Sequence, residues 1–459
     1  MNFNLLSQNL LLGLCSIFTG LSVFIIVRVF KIEKVIKNNR KTKNAAPLQN
    51  YELRNLKLAG TGLAASFLAA LLILRLFSYL TDSILPISLL FMIVPFTISI
   101  ALLVITIWFK KPMKTVASVG AFIGLIFSLV LINNYYRFYP TLGEVFNINS
   151  NVQNIGEGQT GVVVNVAHLG TNNYANSIEN EINTVSQEST AGKVYSLEIP
   201  GAVSKFKARA AYVYEPAIYN KITNLNLPVI VLLAGVPGAP ENWLGAGMQA
   251  TLDQFAGSHD GITPLVFIVD DTGGIGNDTE CVNSPLGNVE TYLTVDVPAY
   301  IKSHFRVVDN PSDWAIGGLS MGGMCSIMLT LRHPNVYHYF MDYGGEIGPE
   351  DGSKQRTLAI LFGGSENNWA AHQPNLLLAS KNYKNSGIGG FFGDGQQDSR
   401  SVAQAVSQLA SESQRAGLQT VSEIINGQHT FEVWSQLFKD SLPWVSSRIG
   451  ATQCAAVCI

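Results

Sequence analysis

Two rhythms of apolar and polar positions divide the 459 residues of this chain. Near its start, apolar residues run on for some 20 positions at a time, over 9–29, 58–77, 85–109 and 116–135. A bilayer core calls for a helix of about 20 such residues, so the pattern predicts four transmembrane helices within 1–136. Residues 137–190 are rich in Asn, Gly, Ser and Thr, with one β-like run at 161–166, and read as an extracytoplasmic linker or stalk. Beyond them short β-branched runs alternate with longer amphipathic segments, the pattern of a mostly parallel sheet covered by helices. Strands are predicted at 194–199, 208–215, 229–233, 265–269, 314–316, 338–343, 357–362, 390–393 and 421–425. Helices are predicted at 288–303, 323–333, 401–416 and 431–437. The stretch 191–448 is the size of one α/β domain, and 449–459 is left as a Cys-containing tail.

Charge sharpens the division. Residues 1–136 hold 13 basic and 3 acidic side chains, leaving 17 and 29 for the rest. A near-neutral total thus hides a basic first part and an acidic second part, which argues for two environments and against a nucleic-acid partner. Lys31, Lys34, Lys37, Arg40, Lys41, Lys43, Arg54 and Lys57 crowd the first loop, and Lys110, Lys111 and Lys114 the third, while 78–84 has no Lys or Arg. Positive-inside reasoning puts those basic loops in the cytoplasm and everything after the fourth span outside a cell membrane crossed several times. The spans hold no acidic residue and no His, which disfavours transport. Cys281, Cys325, Cys454 and Cys458 fall in the outer part, where disulfides persist; Cys281–Cys325 is the first pairing expected. No His stands at ligand spacing from them, so neither a metal nor a cofactor is expected.

The chemistry centres on Gly318-Leu319-Ser320-Met321-Gly322, between the apolar stretch 314–316 and the run 324–331. A Gly-x-Ser-x-Gly at a strand-to-helix corner exposes a serine on a turn too tight for larger residues at its flanks. A serine hydroxyl needs a base, and the base an orienting acid. His333 ends the nucleophile's own helix, His338 begins the next strand, and His372 comes before any plausible acid strand has ended. His429 follows the strand 421–425 and the turn Asn426-Gly427, where the base belongs. Asp394 and Asp398 both follow 390–393. Asp398, where the loop meets the next helix, is preferred as the acid, and Asp394 reads as a turn residue. The oxyanion needs two backbone donors. Met321 follows the nucleophile, and Val236 lies in Ala234-Gly235-Val236-Pro237-Gly238, where Pro237 has no N–H to give.

Those segments, with 288–300, Leu331-Arg332-His333-Pro334, Gly395-Gln396-Gln397-Asp398 and Gly427-Gln428-His429, resemble in order and spacing the Putative esterase family of α/β-hydrolases. That group includes esterase D (S-formylglutathione hydrolase), enterochelin esterases and mycolyltransferases. Four spans ahead of such a domain resemble its membrane-bound actinobacterial members. The resemblance covers about 190–448 and implies an acyl-enzyme mechanism with Ser320 as nucleophile, His429 as base and Asp398 as acid. Two positions depart from it: Ala234 stands where many members carry His, and the acid is Asp where mycolyltransferases commonly use Glu. The expectation is a membrane-anchored serine esterase or acyltransferase acting on an ester of a lipid, sugar or other cell-envelope component. The alternatives are a silent module of this fold serving as an envelope-binding scaffold, or a peptidase.

Overall fold

The computed structural model describes residues 191–451 apart from 223, 224, 260 and 275, and, ahead of them, the helix Lys111–Tyr136 with short pieces between residues 5 and 154. The chain divides into two compact units, Met1–Asn147 and Ile148–Ile459.

In the first unit, α1 (Lys111–Tyr136) contains an 18-residue window, Ala117–Asn134, of mean hydropathy 1.8. It coincides with the fourth expected span and is long and apolar enough to cross a membrane. Among the described residues it is one such helix where the sequence pattern predicts four. Most of the other three expected spans lies outside the described residues, as do the β-like run at 161–166 and the tail cysteines Cys454 and Cys458.

Among the described residues the second unit is built on nine strands: β1 (Val152–Asn154), β2 (Lys193–Leu197), β3 (Ala211–Glu215), β4 (Val229–Leu233), β5 (Leu265–Ile268), β8 (Trp314–Leu319), β9 (Tyr339–Tyr343), β10 (Gly389–Gly395) and β11 (Gln419–Ile425). A separate hairpin pairs β6 (Asn283–Ser284) with β7 (Gly287–Asn288). The sheet order is β1-β2-β3-β5-β4-β8-β9-β10-β11, antiparallel only at β2–β3 and β3–β5. The central strand β4 is Val-Ile-Val-Leu-Leu and buried throughout, as a parallel strand covered on both faces should be. Within the segment expected to be linker, β1 pairs in parallel with β2 at the sheet edge.

The helices are α2 (Glu241–Gly245), α3 (Met248–Gly257), α4 (Val297–His304), α5 (Met321–Arg332), α6 (Lys354–Leu361), α7 (Glu366–Ala370), α8 (Pro374–Ser380), α9 (Arg400–Ala416) and α10 (Phe431–Arg448). Successive strand residues face opposite layers, and β9 makes the division plain. Asp342 lies against Gly323 of α5, whereas the Tyr343 hydroxyl meets Ser441 of α10 at 2.5 Å. Its neighbour β10 follows suit. Phe392 packs into a cluster with Ile327 and Leu331 of α5 and Val406 and Leu409 of α9, while Gly393 leaves room for Leu437 of α10.

Two sequence expectations give way here. The apolar run 357–362 is not a strand. It belongs to α6, with Thr357 and Leu361 buried four residues apart and the Ser353 hydroxyl capping the Arg356 N–H. Six apolar-rich residues fit either period, and the cap was the overlooked signal. Asp394 is not a turn residue either: β10 runs on to Gly395, and Asp394 sits in the strand with 2% of its surface exposed.

Candidate active site

The corner at Ser320 follows from what its neighbours lack. A Cβ on Gly318 would come within 2.4 Å of the Gly322 carbonyl carbon, and one on Gly322 within 2.1 Å of the Ala234 oxygen. With both absent, β8 can turn directly into α5. Ser320 takes up the strain, at φ 55° and ψ −125°, a region that residues with a Cβ rarely adopt. Its N–H donates to the Tyr343 carbonyl at 2.9 Å, and its own carbonyl accepts from Gly323 at 2.8 Å. The hydroxyl is left partly exposed at the helix N-terminus.

His429 arrives from the loop between β11 and α10, and Asp398 from the loop between β10 and α9. Those two loops are laced together. Gln396 N–H donates to Ile425 O at 2.7 Å, Gln397 N–H to Gly427 O at 2.8 Å, and Asp398 N–H back to Gly395 O at 2.9 Å. The parallel pairing of Gly395 with Ile425 thus carries on past the strand ends and sets how far apart the acid and imidazole stand. His429 Nδ1 lies 2.7 Å from Asp398 Oδ2, and Nε2 lies 2.9 Å from Ser320 Oγ. The Asp398 side chain is 2% exposed and that of His429 34%. Trp434 stands edge-on to the imidazole with centroids 4.7 Å apart.

Such a line of carboxylate, imidazole and hydroxyl can do acyl chemistry. The hydroxyl gives its proton to the ring as it attacks a carbonyl carbon, and the carboxylate steadies the imidazolium that forms. Close by, Gly235 brings the loop after β4 so near that a Cβ there would sit 3.0 Å from Ser320 Cβ. Val236 follows, joined to Pro237 by a cis peptide bond. Met321 is the first residue of α5, where an N–H has no preceding turn to bond. Three ties hold the Val236 loop. Trp243 Nε1 donates to Leu233 O at 2.8 Å, Ala239 N–H to Asn242 Oδ1 at 2.7 Å, and Arg209 Nη1 to Gly238 O at 3.0 Å. Arg209 is itself fixed to Asp270, Nη2 to Oδ1 at 2.6 Å. Burial works to raise the Asp270 pKa, but the Arg209 hydrogen bonds outweigh it and hold the carboxyl below its ordinary value.

Three further features surround the line. Cys281 and Cys325 are joined in a disulfide with Cα atoms 5.8 Å apart, binding the loop ahead of β6 to α5. Asp342 and Asp394 are buried carboxyls on neighbouring strands. Burial pushes Asp342 up to about 7, and burial with the adjacent Asp398 charge pushes Asp394 up to about 8. Elsewhere, Glu290 gathers Arg332 Nε at 2.7 Å, His333 Nε2 at 2.8 Å and His372 Nε2 at 3.0 Å. None of those contacts reaches Ser320, Asp398 or His429. Among the described residues no group of three His, Cys, Asp or Glu has the geometry to hold a metal ion.

The structure therefore brings Ser320, His429 and Asp398 into contact and sets the Gly235–Val236 loop beside them. It adds Trp434, Trp243, Arg209, Asp270, Asp342 and a buried Asp394, which sequence reasoning left without a role. An Arg or Trp far along the chain carries no local pattern to mark it, though two carboxyls flanking Gly395-Gln396-Gln397 were a visible signal.

A family model described as Putative esterase matches residues 207–445. An uncharacterised protein of Corynebacterium glutamicum is 36% identical over 334 residues, which cover 72% of this chain and 75% of that protein. The diacylglycerol acyltransferase/mycolyltransferase Ag85A of Mycobacterium leprae is 21% identical over 195 residues, 36% of this chain, and this chain spans 57% of its length. Among solved structures, a ferulic acid esterase aligns with a TM-score of 0.48 at 20% identity, over 57% of this chain and 99% of that one.

Proposed function

The chain belongs to the Putative esterase family and is a serine hydrolase, and from that premise we propose that it is a membrane-anchored esterase or acyltransferase working through Ser320, His429 and Asp398. The observation that carries this reading is the unbroken hydrogen-bonded line from Ser320 Oγ through His429 to a buried Asp398. In the first half-reaction the Ser320 hydroxyl attacks an ester carbonyl as His429 Nε2 takes its proton. The Val236 and Met321 amides hold the oxyanion. The protonated imidazole then delivers its proton to the departing alkoxide, leaving an acyl-serine. Water, or a sugar or lipid hydroxyl, takes the acyl group in the mirror-image second half.

Anchoring rests on the four apolar stretches before residue 137, of which α1 is one, and on the placement of Lys and Arg around them. The same asymmetry favours a catalytic domain outside the cell membrane. A site held there favours lipid, glycolipid or other envelope esters.

The test uses full-length protein in membranes. A fluorophosphonate probe is expected to label wild type and to leave Ser320→Ala unlabelled. Incubation with an envelope lipid extract, read by mass spectrometry, then separates free acid (an esterase) from newly acylated sugars or lipids (a transferase). A folded wild type that takes up no probe would sink the reading in favour of a non-catalytic scaffold.

A further inference from the structure

One charged pair beside the candidate site is tied to the loop proposed to supply the second oxyanion donor. Arg209 stands two residues ahead of β3, and Asp270 two residues beyond β5. Those strands pair antiparallel, with Tyr212 opposite Ile268, so both side chains emerge where β4 runs into Gly235 and β8 into Ser320. Asp270 and Thr272 are wholly buried, and the Arg209 side chain is one-quarter exposed. The guanidinium is held on three sides. Nε and Nη2 donate to Asp270 Oδ1 at 3.1 and 2.6 Å, Nη2 donates also to Thr272 Oγ1 at 2.5 Å, and Nη1 donates to the Gly238 carbonyl at 3.0 Å. The carboxylate is braced in turn. Its Oδ2 accepts the Arg209 and Gly273 N–H groups at 2.6 and 3.1 Å, and its Oδ1 the Thr272 N–H at 3.2 Å. Gly238 presses on the start of the same loop: a Cβ there would meet the Gly235 oxygen at 2.3 Å, and Gly235 packs against Ser320. Val236 is therefore pinned on one side by the nucleophile's corner and on the other by Arg209.

We propose that Arg209 is a positioning residue for acyl transfer: held against the fixed Asp270 carboxylate, it grips the Gly238 carbonyl and so sets the direction in which the Val236 N–H meets the oxyanion. This deepens the acyl-transfer reading and rests on it. An amide serves an oxyanion only if it already points to the place where charge will develop. A loop with glycines at 235 and 238 has more backbone freedom than most and needs an anchor from outside. A planar guanidinium suits that task, since it can face a carboxylate along one edge and a carbonyl along another. The single ammonium of a Lys cannot take up both directions at once. The ion pair by itself would only steady two strand ends. Its third bond, to the loop, makes it part of the site.

The experiment compares Arg209→Lys and Thr272→Val with wild type as full-length membrane protein. It follows p-nitrophenyl butyrate hydrolysis, fluorophosphonate labelling and inhibition by butylboronic acid, whose adduct with a serine places an oxygen where the oxyanion forms. Arg209→Lys keeps a charge against Asp270 and gives up the bond to Gly238. It should lower kcat and the labelling rate by about 10- to 100-fold with KM nearly unchanged, short of the roughly 10²- to 10³-fold loss of a whole oxyanion donor. The boronate Ki should rise by a similar factor, because a transition-state mimic loses a contact that the bound ester does not yet use. Thr272→Val removes one anchor of the guanidinium and should move the same quantities the same way by a smaller factor. Melting temperatures separate lost alignment from lost fold, and Thr272→Val carries the test should Arg209→Lys unfold. The idea is overturned if the folded variants keep the wild-type kcat and labelling rate, or if kcat falls with no rise in the boronate Ki. A wild type that does not label at Ser320 would instead end the parent reading.

Discussion

Both Glu290 and Asp398 hold histidines, yet the two sites are put to opposite uses. At Glu290 both oxygens are occupied by cationic or donor groups, Arg332 and His333 on Oε1 and His372 on Oε2. His372 spends its second nitrogen on the Asn368 carbonyl at 2.6 Å and is 4% exposed. Both of its nitrogens are taken up by partners within the fold, which leaves neither for a substrate. At Asp398 a single histidine is held, and its far nitrogen meets a hydroxyl, at a side chain one-third open to solvent. A His–carboxylate pair is thus not itself a sign of catalysis. What the second nitrogen meets decides whether the pair fastens the fold or moves a proton.

The largest expected effect separates the two directly. Ser320→Ala or His429→Ala should cut hydrolysis of an activated ester by roughly 10⁴- to 10⁶-fold, whereas His372→Ala should cost under tenfold, as loss of a group acting in concert differs from loss of a remote one. Equal losses at His429 and His372 in steady-state assays would erase the distinction.

Stability should reverse that ranking. Glu290→Gln leaves the partly exposed Arg332 without its counter-charge and weakens the bonds from His333 and His372, and is expected to cost about 1–3 kcal/mol, read as a lowered melting temperature, while Ser320→Ala costs little.

pH should then pull the sites apart from opposite ends. At Glu290 burial raises the pKa, but hydrogen bonds from His333 and His372 win and hold it below its ordinary value. Its contribution is therefore full above the unfolded value of about 4.3 and is lost as pH falls from there. Asp342 and Asp394 are raised, to about 7 and about 8, so what they contribute is full in acid and lost as pH climbs through those values. A melting-temperature profile from pH 3 to 9 should sag at both ends, with Glu290→Gln flattening the acid side and Asp342→Asn the alkaline side. The opposite assignment of the two limbs would refute this account.

The smallest effect concerns the corner itself. Ser320→Gly relieves a backbone at φ 55° and should raise stability by about 1 kcal/mol while abolishing probe labelling.

Much of this was legible along the chain. The Ser320 corner showed because glycines flank it at fixed offsets, and β4 showed because a strand buried on both faces must be apolar throughout. Asp398 and His429 could be picked out because each follows a recognisable strand. The run 357–362 misled because its length suits a strand while its burial period is helical. Asp394 misled because a polar residue beside Gly395 looks like a turn until the ladder is seen to reach it.

The order of apolar runs thus determined the layers, the long apolar segments at the start, and which serine stands at a strand-to-helix corner. Local patterns suffice for these, because burial and tight turns leave their mark within a few residues. Only the folded sheet decided which histidine meets that serine and which is consumed by Glu290. Residues 320, 398 and 429 become neighbours through strand order, and hydrogen bonds between side chains so distant in sequence have no counterpart in the chain read alone.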